Sequence, residues 1–323
     1  MNPAVELSII IVNWNSKAFL RRCLASIESR TGDIAYEIIV IDSGSFDGCG
    51  EMLSEHHPHV RFIQSGSNIG FARANNAAFC ASVGEHVLFL NPDTELVGSA
   101  IEVLMAHLHT LPNAGVVGCR LLNADGSLQD TCVQAFPTLL SQFLNSRLLR
   151  TAYPGWSIWG MSALFDAVDR PTSVDVVSGA CFIMRRQTFE RVGMFGEEYF
   201  MYAEDLDLCH KTRLAGYTNY FVRDATVFHY GGGSSDQARS EFSVVMMRDS
   251  IWRFLTKTRG TLYGAAYRAS TLVLAIARLL LLICLYPVQP IRKSRPAWDA
   301  SFRKWRAVLN WSLGHGPHTA GQP

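Results

Sequence analysis

The sequence predicts an α/β fold with a wound, mostly parallel sheet, flanking helices and a C-terminal helical appendage. Three observations predict it. Short apolar runs alternate with helical patterns through the first half of the chain, polar or glycine-rich turns follow those runs, and the composition becomes strongly apolar near residue 271. Strands that alternate with helices favour a parallel sheet with right-handed crossovers.

Composition limits the function classes. The 323 residues suit one large domain with an appendage, and the net charge of +1 argues against a nucleic-acid partner. The eight cysteines are scattered without a Cys-x-x-Cys pair, which argues against a zinc site or a disulfide framework and for reduced thiols in the cytosol. No basic segment follows Met1, so we expect no signal peptide.

The elements follow one another in a regular order. Apolar β-prone runs predict strands at 7–12, 37–41, 60–64, 87–90, 115–119, 174–184, 220–222 and 225–229. Periodic apolar positions predict helices at 17–29, from 49 to about 56, from 68 to about 83, and at 95–109, 186–192, 204–216 and 240–255. Ser16 is the expected cap of the first helix.

The run at 87–90 leads directly into Asn91, Pro92 and Asp93. Pro92 cannot donate to a ladder, so the strand ends there and Asp93 lies at its carboxyl end. Open α/β sheets bind ligands at that edge, and a carboxylate there could hold a divalent cation that bridges phosphates. The alternative is that Asp93 caps a helix starting near Glu95, and this stretch alone does not decide between the two.

Two further loops place polar groups at strand ends. Asp42 could accept the imide N–H of a uracil or thymine base, or it could bond its own backbone in a turn. Asn68 and Arg73 flank a helix start that could meet a pyrophosphate, or they could be a cap and a surface charge. The Gly-x-Gly-x-x-Gly dinucleotide motif is absent.

Acidic residues gather at the start of a later helix. Glu204 and Asp205 lie beside aromatic residues, where a carboxylate with a raised pKa can act as a general base; favourable interaction with the helix dipole is the alternative. His229 ends an apolar run and is a metal-ligand candidate only if Asp93 lies nearby. Residues 130–172 are irregular and aromatic, and we expect them to shape an acceptor pocket.

Taken together, six ordered motifs and one histidine resemble a known family. They are Ile-Ile-Ile-Val-Asn-Trp-Asn at 9–15, Ile-Asp-Ser-Gly-Ser-Phe-Asp-Gly at 41–48, Asn-Ile-Gly-Phe-Ala-Arg-Ala-Asn-Asn at 68–76, Phe-Leu-Asn-Pro-Asp-Thr at 89–94, Ser-Gly-Ala-Cys at 178–181, Met-Tyr-Ala-Glu-Asp-Leu-Asp-Leu-Cys at 201–209, and His229. Over residues 5–235 the sequence resembles the family 2 glycosyltransferases of GT-A fold, in particular their bacterial rhamnosyltransferase-like branch.

The resemblance implies roles in donor binding. Asp42 would contact the nucleobase with Asn13 in the same pocket, and Asp47, Asn68 and Arg73 would lie near the nucleotide.

It also implies roles at the reacting end of the donor. Asp93 would be the metal-binding acid of the family's Asp-x-Asp element, with Asn91 in place of the first acid, and His229 would share the metal, Mn²⁺ or Mg²⁺. Asp205 would be the catalytic base and Glu204 a supporting acid.

The implied reaction is an inverting transfer. A metal-dependent enzyme would move a sugar, L-rhamnose, from a nucleotide-diphosphate donor, a dTDP-sugar, to a hydroxyl of a glycan or a polyprenyl-diphosphate-linked sugar in cell-wall or surface-polysaccharide synthesis. Two other classes stay open: an inactive sugar-nucleotide-binding scaffold in a membrane complex, and a sugar nucleotidyltransferase. The latter is disfavoured because no glycine-rich triphosphate loop lies near the N-terminus.

The C-terminal region has a different character. We place a catalytic domain at 1–238 and a helical region at 239–323, with an apolar segment at 271–287 and an amphipathic helix at 298–311. Arg278 makes spanning costly by about 2.5–3.5 kcal/mol, and basic residues flank both ends. A peripheral or re-entrant contact with the cytoplasmic face of the bacterial inner membrane fits better, with packing against protein as the alternative. The oligomeric state stays open, a homo-oligomer included.

Overall fold

The structure, a computed structural model, describes residues 5–145, 147–165, 170–231, 241–285 and 295–315. Its strands are β1 Leu7–Asn13, β2 Tyr36–Asp42, β3 Arg61–Gln64, β4 His86–Leu90, β5 Thr94–Val97, β6 Ala114–Leu122, β7 Val133–Gln134, β8 Thr172–Val174, β9 Val176–Val177, β10 Cys181–Arg185 and β11 Thr218–His229.

Helices flank the strands and make up the C-terminal part. They are α1 Lys17–Arg30, α2 Cys49–His56, α3 Phe71–Cys80, α4 Ala100–Thr110, α5 Leu139–Phe143, α6 Arg147–Ala152, α7 Ser162–Phe165, α8 Arg186–Arg191, α9 Glu204–Leu214, α10 Glu241–Arg259, α11 Thr261–Leu285 and α12 Arg295–Ser312. A 3₁₀ turn lies at Ser157–Trp159.

The main sheet is mixed. Its strand order is β3-β2-β1-β4-β10-β6-β11-β5, with β8 beside β11. The first four strands of that order are parallel, as predicted, and β10 enters antiparallel between β4 and β6. Strands β1 and β4 are buried along their whole length, because helices cover both faces of a wound sheet. The predicted fold class is confirmed.

The helix predicted at 95–109 is wrong at its start. Thr94–Val97 is strand β5, which pairs antiparallel with β11, and the helix α4 begins only at Ala100. The β11 strand supplies a partner that the local sequence does not reveal, and pairing overrides propensity. Asp93 therefore precedes a strand, so the alternative that it caps a helix is excluded.

Ser16 occupies the N-cap of α1, but its side chain makes no capping hydrogen bond there. Its hydroxyl donates instead to the carbonyl of Trp14 at 3.0 Å. The Lys17 N–H donates to Asp47 Oδ2 at 2.9 Å, so a carboxylate from the loop after β2 supplies the cap. Ser16 is thus the N-cap residue by position, as predicted, but the side-chain hydrogen bond at the helix start comes from Asp47.

The loops after β2 and β3 fit closely together. The Ser43 hydroxyl donates to Asn68 Oδ1 at 3.2 Å and accepts from the Ile69 N–H at 3.1 Å. Gly44 has φ +74°, and a Cβ there would lie 2.3 Å from the Ser67 carbonyl carbon. Only glycine meets both conditions, because other residues carry a Cβ and disfavour positive φ.

The chain divides into two compact units. The first takes in described residues up to Phe136 and from Arg150 to Gly231, and the second takes in Pro137–Leu149 and the described residues from Glu241 on. The second unit contains α10, α11 and α12, which cover the predicted helix from its second residue, 241, to 255, the apolar segment to 285 and the helix 298–311. The predicted boundary at 238 and residues 286–287 lie outside the described residues.

Replacing Gly44 with alanine tests the loop packing. Gly44→Ala should lower the free energy of unfolding by about 1–3 kcal/mol, since it combines positive φ with a backbone clash. The matched control is Gly66→Ala, where a Cβ meets nothing within 4 Å. Chemical denaturation of both variants measures the difference; equal stabilities would contradict the close fit.

Candidate active site

Three groups of polar side chains lie at the carboxyl-terminal edge of the sheet. The register pairs Asn13 with Asp42 at the ends of β1 and β2. Asn91 and Asp93 follow β4, and His229 ends β11 opposite Thr94. Glu204 and Asp205 begin α9. The predicted placement of polar groups at one sheet edge is what parallel strands dictate.

Asp42 is fully buried and accepts hydrogen bonds on both carboxylate oxygens. Asn13 Nδ2 donates to Oδ1 at 2.7 Å, and Gln64 Nε2 donates to Oδ2 at 2.7 Å. The backbone N–H groups of Ser45 and Phe46 donate at 3.0 and 3.1 Å, and the Ser45 hydroxyl donates as well. This is the Asp-turn that the sequence left as the alternative, since the carboxylate fixes its own following loop.

The charge of Asp42 is held by these contacts. Burial by itself raises the pKa of the carboxyl, but the hydrogen bonds from Ser45, Gln64, Asn13 and Phe46 outweigh it, so the pKa lies below its usual value. Asp42 therefore stays ionised and keeps the loop in one shape at neutral pH.

Asp47 lies next to this carboxylate. Its oxygens accept from the Lys17 and Cys49 N–H groups, and the ligand atoms of Asp42, Asp47 and Cys49 lie within 4.8 Å of one another, consistent with a divalent cation. However, Asn13 Nδ2 donates to both acids, at 2.7 Å to Asp42 and 3.3 Å to Asp47. Burial also raises the pKa of the Cys49 thiol far above its usual value. An amide donor between the acids and a protonated thiol disfavour a cation there.

Asn68 and Arg73 are placed differently. Asn68 Oδ1 accepts from the Gly70 N–H at 3.0 Å just before α3, so this residue closes the turn that starts the helix. Arg73 Nε lies 3.5 Å from Glu197 Oε2, and both side chains are more than half exposed. The predicted contacts of Asn68 and Arg73 with a nucleotide remain predictions. The hydrogen bond to Gly70 and the ion pair with Glu197 fit a helix cap and a surface charge equally well.

Asp93, Asn91 and His229 form the second group. His229 Nε2 lies 3.4 Å from Asp93 Oδ1 and 3.4 Å from Asn91 Nδ2. The Asn91 Oδ1 atom is buried and makes no hydrogen bond within the described residues. The sequence makes His229 a metal-ligand candidate only if Asp93 lies nearby, and the structure places the two side chains next to each other. A carboxylate oxygen and an imidazole nitrogen suit a divalent cation. The Asn91 amide faces His229 with its nitrogen, so its oxygen could join them only if the amide turned over.

Gln129 joins this group and was not predicted. Its Nε2 donates to the His229 carbonyl at 2.6 Å, and its Oε1 lies 3.0 Å from His229 Nδ1. Gln129 follows the Asn-Ala-Asp-Gly-Ser turn, 100 residues from His229 in sequence. Its location on the far side of a hairpin explains why no local pattern indicates it.

Asp205 and Glu204 form the third group. Asp205 Oδ2 accepts from the Gly179 N–H at 3.0 Å, and Glu204 Oε2 is buried without a hydrogen bond within the described residues. The two residues before them, Tyr202 and Ala203, have φ of +67° and +62°. Such strain is of order 1–3 kcal/mol per residue and concentrates at functional sites.

Burial controls the protonation of this pair. Burial raises the pKa of Asp205, opposed by hydrogen bonds from the Gly179 and Leu206 N–H groups. Burial and then the Asp205 charge raise the pKa of Glu204 to about 8. Asp205 therefore ionises first, and Glu204 keeps its proton at neutral pH.

A short backbone connection joins the second and third groups. The Asn91 N–H donates to the Ala180 carbonyl at 2.9 Å, and the neighbouring Gly179 N–H donates to Asp205. Gly179 and Ala180 lie between β9 and β10. The backbone thus connects the half-buried Asp205 carboxylate to the group that contains Asn91, Asp93 and His229.

The fold and this edge of the sheet define a GT-A glycosyltransferase. A model of glycosyl transferase family 2 matches residues 8–193. The chain belongs to that family and is a rhamnosyltransferase-like glycosyltransferase of polysaccharide synthesis, as the sequence resemblance predicted.

Two relatives illustrate the similarity. The N-acetylglucosaminyl-diphospho-decaprenol L-rhamnosyltransferase of Mycobacterium tuberculosis is 29% identical over 71% of this chain and 77% of its own length. The rhamnosyltransferase WbbL of Escherichia coli K12 is 28% identical over 78% of this chain and 93% of its own length.

Solved structures show the same fold at low identity. GalNAc-T7 with UDP, GalNAc and Mn²⁺ has a TM-score of 0.57 and 14% identity, covering 98% of this chain and 59% of that one. The Pyrobaculum calidifontis mannosyltransferase PcManGT with GDP-Man and Mn²⁺ has a TM-score of 0.53 and 16% identity, covering 97% and 88%.

The protonation of Glu204 predicts a pH-dependent stability. Below pH 4.5 the Glu204 carboxyl is protonated in the folded and in the unfolded protein. Between pH 4.5 and about 8 it is ionised only in the unfolded protein, so the free energy of unfolding falls as the pH rises. Glu204→Gln should remove that decline, while the Asp205 contribution remains. Unfolding free energies from pH 4.5 to 8.5 measure it, with the exposed Glu55→Gln as control. Parallel curves for wild type and Glu204→Gln would contradict the raised pKa.

Proposed function

We propose that this enzyme is an inverting, metal-dependent rhamnosyltransferase. It moves L-rhamnose from a dTDP-sugar to a hydroxyl of a glycan or polyprenyl-diphosphate-linked sugar in cell-wall or surface-polysaccharide synthesis. The observation that carries the reaction is the half-buried Asp205 carboxylate, joined through Gly179 and Ala180 to the Asn91 backbone. A base that the backbone connects to a group suited to a divalent cation fits a direct displacement. The M. tuberculosis relative supports the sugar and the class of acceptor.

Asp205 takes the proton from the acceptor hydroxyl as that oxygen attacks the anomeric carbon. Its surroundings suit this role, because burial raises its pKa while the Gly179 N–H holds one oxygen in place. Glu204, protonated at neutral pH, adds no second negative charge beside the base. A single base on the face opposite the leaving group gives inversion.

Asp93 and His229 would hold the cation, and the Asn91 amide oxygen would join them once that amide turned over. Mn²⁺ or Mg²⁺, when bound, neutralises charge on the departing nucleoside diphosphate. The orphaned Asn91 Oδ1 supports this assignment, since a buried amide oxygen without a donor is costly unless a ligand satisfies it.

The loop after β2 binds the nucleoside end of the donor in this proposal. Asp42 acts there mainly by fixing the backbone of residues 43–48, because five protein donors already occupy its oxygens. Asn13 and Asp47 complete the group. Asn68 ties that loop to the start of α3, and Arg73 lies one turn into the helix. Thymine and uracil offer the same imide edge, so a donor panel has to separate them.

A donor panel with active-site variants tests the transfer. Release of nucleoside diphosphate from dTDP-, UDP- and GDP-sugars is measured with a polyprenyl-diphosphate-linked acceptor, with Mn²⁺, Mg²⁺ or chelator. Asp205→Asn should lower turnover by about 10²–10⁴-fold because it removes the base. Asp93→Ala should abolish the metal dependence. The control Asp224→Asn removes an exposed carboxylate bonded to His107 and should leave turnover unchanged.

The outcomes separate the candidate functions. Full activity in Asp205→Asn would contradict the assigned base. Nucleotide binding without turnover on every donor and acceptor would favour the inactive scaffold over the transferase.

We also propose that the C-terminal unit contacts the cytoplasmic face of the inner membrane through α11. By length and composition alone α11 could cross a bilayer, and 11% of its most apolar window is buried. Its buried residues are small or polar: Gly264, Tyr267, Thr271 and Ala275. Arg278 is exposed, and so is a set of large aliphatic residues: Leu262, Val273, Ile276, Leu280, Leu281, Ile283 and Leu285. A helix with its aliphatic residues outside suits a lipid neighbour rather than water.

Two features favour an in-plane or re-entrant contact over a span. Arg278 interrupts the apolar run, and its guanidinium lies 5.9 Å from the ring centre of Trp305 on α12. The exposed side of α12 carries Asp299, Arg303 and Arg306. An apolar helix beside a charged helical face is the pattern of an interfacial unit.

Flotation with anionic liposomes tests the lipid-facing side. Substituting Ile276→Asp and Leu280→Asp together should weaken liposome binding by at least about 10-fold, because each loses roughly 1.5 kcal/mol or more of apolar burial. The matched control Ala300→Asp lies on the exposed side of α12 and should bind like wild type. A wild-type chain that stays in the soluble fraction, or equal binding of all variants, would contradict the contact.

A further inference from the structure

Gln129 makes two hydrogen bonds to His229, and they determine which ring nitrogen of His229 carries the hydrogen. The inference drawn from them rests on the proposed metal site. The first step is the orientation of the Gln129 amide. Its Nε2 lies 2.6 Å from the His229 carbonyl oxygen. A backbone carbonyl only accepts hydrogen bonds, so the amide nitrogen must face it. The flipped amide would bring two acceptor oxygens together, and that orientation is excluded.

The second step is the ring. With the amide so oriented, Gln129 Oε1 faces His229 Nδ1 at 3.0 Å. An amide oxygen only accepts, so Nδ1 must carry a hydrogen and donate it. The other tautomer would place a nitrogen lone pair against the amide oxygen. The neutral ring therefore keeps its hydrogen on Nδ1 and its lone pair on Nε2.

The third step is what Nε2 faces. It lies 3.4 Å from Asp93 Oδ1 and 3.4 Å from Asn91 Nδ2. An imidazole nitrogen binds a cation only through a lone pair, and a bond from the opposite ring nitrogen to an acceptor fixes that lone pair. Gln129 is itself only 9% exposed, so water competes little with either bond.

We propose that Gln129 is the positioning residue of the metal site. It holds the His229 ring by two hydrogen bonds to one residue, one at the backbone and one at the side chain, so that Nε2 presents its lone pair beside Asp93. Gln129 acts through His229 and does not itself contact the cation.

The test reads the ring tautomer and the metal affinity separately. ¹⁵N-histidine NMR, with the His229 signals assigned by their loss in His229→Ala, should show wild type with hydrogen on Nδ1. Gln129→Leu keeps the approximate size but removes both bonds, so the ring should shift towards the Nε2–H tautomer. Mn²⁺ affinity, measured by EPR with nucleoside diphosphate present, should fall by about 10- to 100-fold.

Two further variants protect the test against simple misfolding. Gln129→Glu retains an acceptor for the Nδ1 hydrogen but replaces the donor to the His229 carbonyl with a second acceptor. It should keep the wild-type tautomer, with an Mn²⁺ affinity between those of wild type and Gln129→Leu. Gln134→Leu on β7 is the matched control and should change neither readout. Unfolding curves confirm that each variant is folded.

The outcomes are distinct. An unchanged tautomer in folded Gln129→Leu overturns the inference, and so does an unchanged Mn²⁺ affinity in that variant when wild type binds Mn²⁺. If wild type binds no Mn²⁺, the proposed metal-dependent function fails, while the NMR experiment still decides whether Gln129 sets the tautomer.

Discussion

The hydrogen bond from the Asn91 N–H to the Ala180 carbonyl is the contact on which the site depends. Pro92 ends β4, and antiparallel β10 begins beside that end, so the 2.9 Å bond joins the two where pairing stops. Gly179, one residue earlier, donates to Asp205. A Cβ on Gly179 would lie 3.4 Å from Asp205 Oδ2, which is ordinary van der Waals contact, so the backbone here directly adjoins the carboxylate. The proposed base and the proposed metal group are thus joined by one backbone segment, which suits catalysis that relies on preorganised geometry.

Two buried carboxyl groups of the site, Asp42 and Glu204, have pKa values shifted in opposite directions. Asp42 is buried but ionised, because five donors satisfy its oxygens and lower its pKa. Glu204 is buried with one oxygen unsatisfied, and its pKa rises to about 8. The Asp42 carboxylate stabilises a loop, whereas Glu204 Oε2 accepts no hydrogen bond within the described residues. An unsatisfied buried carboxyl is expected where a ligand, rather than the protein, completes the hydrogen bonds.

In the C-terminal unit, the exposed side of α11 is largely apolar. The buried residues of α11, Gly264, Tyr267, Thr271 and Ala275, include no large aliphatic side chain, and the large aliphatic residues of this helix lie outside. Arg268 shows how such a helix keeps a charge: its guanidinium donates to the Trp311 carbonyl at 2.7 Å and lies over the Trp252 and Trp311 rings. Polar groups inside and apolar groups outside reverse the rule for water-soluble helices.

The sequence by itself determined the wound sheet, the polar edge and the candidate acids, because alternating apolar runs and turn residues are local signals. Asp42, Asp93 and Asp205 were found as strand-end or helix-start residues within short motifs. Tertiary structure decided what local signals do not contain. Thr94–Val97 became a strand because β11 lies beside it, and Asp47 rather than Ser16 made the side-chain hydrogen bond at the start of α1 because the β2 loop reaches it. Gln129 entered the site only when folding brought a hairpin to His229, since a hydrogen bond between residues 100 apart leaves no periodic trace in the chain.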